Sequence, residues 1–66
     1  MRVWLNGIPR EAVEGVMLAT LLEEAGTDLK SGAVAVNMAV VPRSRIGSIR
    51  LGEGDRVEVI EAVGGG

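Results

Sequence analysis

The 66-residue sequence contains no cysteine and no histidine. Without cysteine there is no disulfide framework, no thiolate metal site and no cysteine nucleophile. Without histidine the commonest general base and the commonest metal ligand are both missing. These absences predict a domain that binds no metal and performs no catalysis with its own side chains.

Aromatic residues, long apolar runs and excess positive charge are also scarce. Phe and Tyr are absent and Trp4 is the single tryptophan, so Val, Ile, Leu and Ala must build the core. A net charge of −2 argues against a nucleic-acid partner, which requires clustered positive charge. Neither a membrane span of ~20 apolar residues nor a signal-peptide h-region is visible. We therefore expect one small cytoplasmic domain, with modest stability because so short a chain buries only about 60% of its unfolded surface.

The first third of the sequence predicts a β-hairpin. Residues Arg2 to Asn6 alternate with period two, and Asn6-Gly7 is the typical pair of a type I′ turn. The returning strand is predicted over Ile8 to Glu14, ended by Gly15. Since Pro9 cannot donate a ladder hydrogen bond, this strand is expected at a sheet edge.

One amphipathic helix follows the hairpin. Its apolar stripe has the i, i+3, i+4, i+7 spacing of a single helix face and comprises Leu18, Leu21, Leu22 and Ala25. Gly26 is predicted to end the helix in the left-handed conformation. The start is poorly specified, because Met17 cannot cap and Gly15 would be only a weak cap.

The second half predicts three more strands and a tight turn. Strands are expected over Ala33 to Asn37, Val40-Val41 and Arg56 to Val63, with a turn at Asn37-Met38 and one helical turn between Ile46 and Ile49. The turn is Gly52-Glu53-Gly54-Asp55. It lacks the lysine and spacing of a phosphate-binding loop.

This order of elements predicts a two-layer α+β fold, in which one helix covers one face of a mixed sheet of four to five strands. The first and last strands each have one apolar face, as central strands would. If they are neighbours, Trp4 and Ile60 both point away from the helix and leave a small apolar patch on the open face. Tryptophan is enriched in interface hot spots, so we expect a partner surface at Trp4, Ile60 and Val63.

The sequence closes with Val63-Gly64-Gly65-Gly66. Three glycines cannot pack as core, but an extended run of them reaches roughly 10 Å and passes through a narrow tunnel. We expect a folded domain over 1–63 and a flexible tail over 64–66. Taken alone, this tail is as consistent with ordinary fraying of a terminus as with function.

Several segments in fixed order resemble the ThiS family, the sulfur carriers of thiamine (thiazole) biosynthesis within the ubiquitin-like β-grasp superfamily. The resembling segments are Val3-Trp4-Leu5-Asn6-Gly7, Leu21-Leu22, Asn37, Val41-Pro42-Arg43, Leu51 to Glu58 and Val63 to Gly66. The resemblance covers essentially the whole sequence. Two departures bear on stability: Met17 stands where the family commonly has Thr, and Ile46 where a bulkier aromatic is frequent.

The resemblance implies a ubiquitin-like β-grasp fold with the first and last strands central and parallel. It implies that the Gly66 carboxylate is adenylated by an E1-like, ATP-using enzyme (ThiF-like) and converted to a thiocarboxylate. The sulfur would come from the persulfide of a cysteine desulfurase or sulfurtransferase and pass to thiazole synthase (ThiG-like). Gly64 and Gly65 would provide passage through the partners' active sites, and no cofactor would be bound by the carrier.

Three alternatives share the same tail chemistry or the same scaffold. One is a small subunit like that of molybdopterin synthase, although those chains tend to be longer and to begin differently. Another is a sulfur carrier for a different product, such as cysteine. The third is a ubiquitin-like protein modifier, for which Lys30 is the only lysine available for chain building. A plain binding module, in which the tail has no role, is the remaining alternative.

Overall fold

The computed structural model describes residues 1–27 and 32–61, which form five strands, one α-helix and one 3₁₀ helix. The strands are β1 (Arg2–Leu5), β2 (Ile8–Glu11), β3 (Gly32–Val36), β4 (Ala39–Val41) and β5 (Arg56–Glu61). The α-helix, α1, spans Leu18–Glu24 and the 3₁₀ helix spans Arg43–Ser48.

The five strands form one mixed sheet in the order β2-β1-β5-β3-β4. The first and last strands, β1 and β5, are central and parallel, and the other neighbouring pairs are antiparallel. The predicted two-layer α+β architecture is confirmed, as is the central position of both strands. The carboxyl end of β5 therefore leaves from the middle of the sheet.

The second strand is shorter than its predicted range. It runs over Ile8–Glu11 and not as far as Glu14, although it occupies the edge position expected from Pro9. Beyond it the backbone turns away, and Gly15 adopts a φ of +76°. After Glu11 only Ala12 still pairs, exchanging backbone hydrogen bonds with Met1 at 2.7 and 2.8 Å, and in this register β1 has no residue opposite Val13 or Glu14.

Both hairpins turn on a left-handed pair of residues. In the first, Asn6 and Gly7 have φ of 51° and 81°, as the type I′ prediction requires. In the second, Asn37 and Met38 have φ of 51° and 69°. The predicted turn at Asn37-Met38 is therefore confirmed, and the third strand, Gly32–Val36, lies one residue earlier than the predicted Ala33 to Asn37.

Helix α1 begins without a side-chain cap and ends in a glycine motif. Its N-cap is Met17, whose side chain makes no capping hydrogen bond, so the expected weak cap at Gly15 is wrong. At the other end Gly26 has a φ of +72°, with its N–H donating to Glu23 O at 3.0 Å. The N–H of Thr27 donates to Leu22 O at 2.9 Å, which completes a Schellman motif and confirms the predicted helix end.

The core lies between α1 and the inner face of the sheet and is aliphatic throughout. Its buried members come from the helix stripe, from alternate positions of the three middle strands, and from two connecting segments: Val3, Leu5, Val16, Leu18, Leu21, Leu22, Val34, Leu51 and Val57. Ala25, Ile46 and Ile49 pack against this cluster from its edge. The sequence-based core composition is thus confirmed.

The segment between β4 and β5 ties the helix to the sheet. A full 3₁₀ helix replaces the single turn predicted around Ile46 and Ile49. After it, Leu18 N donates to Ile49 O and Leu51 N donates to Val16 O, each at 2.9 Å. The turn predicted over 52–55 is present, with Asp55 N donating to Gly52 O at 3.1 Å.

Two further observations concern the described residues only. No α-helix among them has the length and hydropathy needed to cross a membrane. No group of three or more acidic side chains in these ranges is arranged to hold a metal ion. The predicted domain boundary at Val63 lies outside the described residues.

Candidate functional site

The open face of the sheet, on the side away from α1, carries two of the predicted partner contacts. In the parallel pair β1–β5, Trp4 lies opposite Arg56 and Leu5 opposite Val57. Side chains that lie directly opposite each other share a face. Since Val57 is buried under the helix, Trp4, Arg56, Glu58 and Ile60 all lie on the open face.

Trp4 is half-buried and forms a cation–π contact with Arg56. The guanidinium carbon Cζ of Arg56 lies 5.1 Å from the centre of the indole ring. Such a contact contributes about 0.5–1 kcal/mol at an exposed site. The pair borders a shallow cleft of about 440 Å³, which is lined by Trp4, Asn6, Gly7, Arg56, Val57 and Glu58.

Ile60 lies on the same face as Trp4 but does not adjoin it. The register places Trp4 at Arg56, and Ile60 lies four residues further along β5, about 13 Å at the usual rise per residue. Ile60 is 55% exposed and lies opposite Ala33 of β3. The expected apolar patch is therefore two separate positions, with Arg56 beside Trp4 and Glu58 between Arg56 and Ile60 along β5.

The carboxyl-terminal part of β5 pairs with a neighbouring strand mainly on one side. β3 pairs with β5 from Gly32–Glu61 to Val36–Val57, whereas β1 pairs only with Arg56 and Val57. The remaining predicted site residues, Val63, Gly64, Gly65 and Gly66, lie outside the described residues. β5 is thus held along its length by β3 and only at its start by β1.

Two asparagines, one from each hairpin turn, also contact the strand that carries the tail. Asn6 Oδ1 accepts a hydrogen bond from Val59 N at 2.8 Å, and Asn37 Oδ1 accepts one from Arg56 N at 3.0 Å. The Asn6-Gly7 pair predicts a turn but gives no sign of the contact between Asn6 and Val59. Turn chemistry alone explains either asparagine, so only the register of β1 against β5 reveals the added role.

The remaining charged side chains on this face form weak, solvent-exposed contacts. Arg2 Nε and Glu11 Oε1 lie 3.1 Å apart, with both side chains more than half exposed. Exposed pairs of this kind contribute about 0–1 kcal/mol, so this pair neither defines a site nor holds the sheet together. The distinguishing features of the face are the cation–π pair Trp4–Arg56 and the nearby cleft.

The fold and the open face define a small ubiquitin-like β-grasp domain. A known crystal structure, of the thiamine biosynthesis protein ThiS from Geobacter metallireducens, superposes with a TM-score of 0.85. That superposition covers 100% of both chains at 26% sequence identity.

Comparison with protein families assigns the chain more specifically. The model of the ThiS family matches residues 3–66. The chain is also 42% identical over 64 residues to the sulfur carrier protein ThiS of Thermus thermophilus, covering 97% of this chain and 98% of that protein. This protein therefore belongs to the ThiS family.

A second kind of relative is much longer than this chain. The thiazole synthase of Magnetococcus marinus is 41% identical over 66 residues, which is 100% of this chain and 20% of that protein. The chain thus spans about a fifth of the length of the thiazole synthases that it matches.

Proposed function

We propose that this protein is a sulfur carrier for thiazole formation in thiamine biosynthesis, acting through the α-carboxylate of Gly66. The observation that carries the proposal is the 42% identity to a sulfur carrier protein ThiS over nearly the whole of both chains. The described fold supports it, because a central strand, β5, leads in five residues to Gly66. Five extended residues reach about 17 Å, enough to enter a partner's active site.

The proposed chemistry begins with activation of the carboxylate. A carboxylate at neutral pH is a poor electrophile, so a carboxylate oxygen of Gly66 first attacks the α-phosphorus of ATP and displaces pyrophosphate. An E1-like adenylating enzyme would hold the nucleotide. Glycine suits this position because it has no Cβ to shield the carbonyl, and Gly64 and Gly65 let the backbone approach the enzyme's walls closely.

Sulfur then replaces the adenylate. The terminal sulfur of a persulfide, carried by a cysteine desulfurase or sulfurtransferase, attacks the Gly66 carbonyl and expels AMP. A second thiol of the partner reduces the resulting acyl disulfide, leaving the thiocarboxylate on Gly66 and a disulfide on the partner. In this scheme the carrier is a cosubstrate and not an enzyme, and it binds no cofactor of its own.

The partner that consumes the sulfur is proposed to be a thiazole synthase. Support comes from the thiazole synthases in which a segment similar to this whole chain forms about a fifth of one longer polypeptide. Trp4, Ile60 and Val63 are proposed as docking contacts, with residues 1–63 as the docking domain and 64–66 as the tail. We place the protein in the cytoplasm, where ATP and the sulfur donors are available.

The absence of cysteine gives a sharp test of the proposed modification. The protein is incubated with its cognate adenylating enzyme, ATP and a sulfur donor, and then with a thiol-selective alkylating reagent. Because the chain contains no cysteine, the thiocarboxylate is the expected site of alkylation. Intact-mass analysis should show one adduct that fragmentation places on Gly66.

The controls separate this product from side reactions. Omitting ATP, or deleting Gly65-Gly66, should abolish the adduct. The three methionines can gain oxygen and mimic an oxygen-to-sulfur exchange in mass, but the sulfoxides do not react with the alkylating reagent. An adduct that forms without ATP, or one that persists in the truncated variant, would refute the role of Gly66.

A further inference from the structure

β5, the strand that leads toward Gly66, extends beyond the point where its pairing with the parallel strand β1 ends. Pairing between β1 and β5 ends at Leu5–Val57, because β1 enters its hairpin turn at Asn6. β5 continues to Glu61 with β3 along its other side. After Val57, β5 therefore pairs with β3 on one side but no longer with β1 on the other.

Asn6, the residue after β1, makes two further hydrogen bonds to β5. Its backbone N–H donates to Val57 O at 2.9 Å, as the next residue of a parallel strand would. Its side-chain oxygen Oδ1 then accepts from Val59 N at 2.8 Å. The side chain thus replaces a backbone carbonyl that the turning chain has carried away.

The backbone conformation of Asn6 makes this substitution possible. With φ at 51°, Asn6 is in the left-handed region that asparagine tolerates better than most residues. Gly7, the next turn residue, has the same conformational freedom but no side chain. Asn6 therefore combines two properties at one position: it closes the hairpin and it holds Val59.

Asn37 makes a similar contact at the other end of the strand. Its Oδ1 accepts from Arg56 N at 3.0 Å, and its Nδ2 donates to Asp55 Oδ1, also at 3.0 Å. Asn37 anchors the start of β5, where both neighbouring strands already pair with it. The two asparagines are chemically matched, but only Asn6 acts on the end of β5 that is nearest to the tail.

We propose that Asn6 is a positioning residue for the activation of Gly66, because it fixes the direction in which β5 delivers the tail. The inference rests on the proposed function. With the Asn6 side chain removed, Val59 loses the hydrogen bond that holds its N–H, and the end of β5 opens more often. Misplacement of a reacting group lowers the rate of the chemical step, even when docking on the open face is unchanged.

The first test measures the hydrogen bond between Val59 N and Asn6 Oδ1 in the free protein, without any partner. The substitution Asn6→Gly keeps the left-handed turn and deletes the side chain, whereas Asn6→Asp keeps an oxygen acceptor for Val59 N. Amide hydrogen exchange at Val59 should accelerate about tenfold in Asn6→Gly, as expected from the loss of one hydrogen bond, and return toward the wild-type rate in Asn6→Asp. Unchanged exchange at Val59 in Asn6→Gly would overturn the inference.

The second test separates positioning from stability. Adenylation by the cognate enzyme is followed at a temperature at which all variants are folded. Asn6→Gly should lower kcat about three- to tenfold with KM nearly unchanged, since the proposed docking contacts Trp4, Ile60 and Val63 are retained and the reacting carboxylate is misplaced. Asn6→Asp should recover most of that loss.

Asn37→Gly is the matched control, because it removes the corresponding side-chain acceptor for Arg56 N at the start of β5 and keeps the turn. It should reduce thermal stability but leave kcat close to the wild-type value. An equal fall in kcat for Asn37→Gly, or a wild-type kcat for Asn6→Gly, would overturn the inference. If the wild-type protein is not adenylated at all, the proposed function fails first and the inference falls with it.

Discussion

Trp4 is the single aromatic side chain of a protein whose buried core is aliphatic, and it lies on the face that the helix leaves open. Its ring is held beneath the Arg56 guanidinium at 5.1 Å. A side chain that already has a contact partner in the free protein loses less conformational entropy when a binding partner covers it. Trp4 therefore has the properties of a docking contact more than those of a core residue.

We expect Trp4→Ala to weaken binding to the adenylating enzyme about tenfold or more, which corresponds to the loss typical of an interface hot spot. Its effect on folding should be smaller, because the ring is half-buried and outside the core cluster. Calorimetric titration gives the dissociation constant, and thermal unfolding gives the stability.

Val40→Ala is the control for that substitution. Val40 lies on the same open face, opposite Ala35 of β3, and is 67% exposed. Its truncation should change neither quantity much. A large loss of thermal stability in Trp4→Ala with an unchanged dissociation constant would instead assign Trp4 to the fold.

At the scale of elements, α1 has a well-formed end and a deficient start. The Schellman motif at Gly26 accounts for the last carbonyl groups, whereas the N-cap Met17 contributes no side-chain acceptor. The N–H groups that a cap would serve are those of Ala19 and Thr20. In a helix of seven residues, one missing cap is a substantial share of the local stability.

We expect Met17→Thr to raise the free energy of unfolding by about 1 kcal/mol, within the usual range for a helix cap. The backbone of Met17 already has the extended conformation of a cap, with φ −82° and ψ 147°. Met17→Val is the matched comparison, because it has nearly the same shape as threonine without the hydroxyl. Urea unfolding of both variants isolates the capping hydrogen bond, and equal stabilities would show that no cap forms.

Local sequence patterns predict some features of the strands but not where every strand ends. Both hairpin turns follow from their asparagines, and the central position of β5 follows from its one apolar face. The end of β2 is not marked by its own residues, because it is set by the partner strand. The register that begins at Leu5–Ile8 places Ala12 against Met1 and leaves Glu14 without a β1 residue opposite it.

At the scale of the whole molecule, one face of the sheet is covered by α1 and the other is open. In the proposed function the partners dock on that open face and act on the carboxylate of Gly66, at the end of the glycine tail. The activating enzyme and the thiazole synthase would both need that face and that tail. Their complexes with this protein are therefore expected to exclude each other.

We predict that a catalytically inactive thiazole synthase competes with the adenylating enzyme for this protein. Adding it should raise the apparent KM for the carrier without lowering kcat, because it removes free carrier and leaves the enzyme intact. The measurement is the initial rate of pyrophosphate release over a range of carrier concentrations. The Trp4→Ala variant serves as the control and should be competed less effectively. A fall in kcat at saturating carrier would indicate a ternary complex and contradict a single shared face.

The sequence by itself determined the order of the elements, the composition of the core, the two hairpin turns, the end of the helix and the glycine tail. Each of these depends on residues close together in the chain: a period of two or of 3.6, an Asn-Gly pair, or one glycine in the left-handed region. The likeness to ThiS sequences added the parallel pairing of the first and last strands.

Only the tertiary structure decided how those elements meet. The β1–β5 register places Trp4 against Arg56, separates Ile60 from Trp4, and brings Asn6 to Val59 across 53 positions of sequence. A register between strands so distant in the chain is set by packing of the whole core and not by any local preference. For that reason the sequence alone predicts the glycine tail, whereas the contact between Asn6 and Val59, on which the proposed positioning role depends, is known only from the tertiary structure.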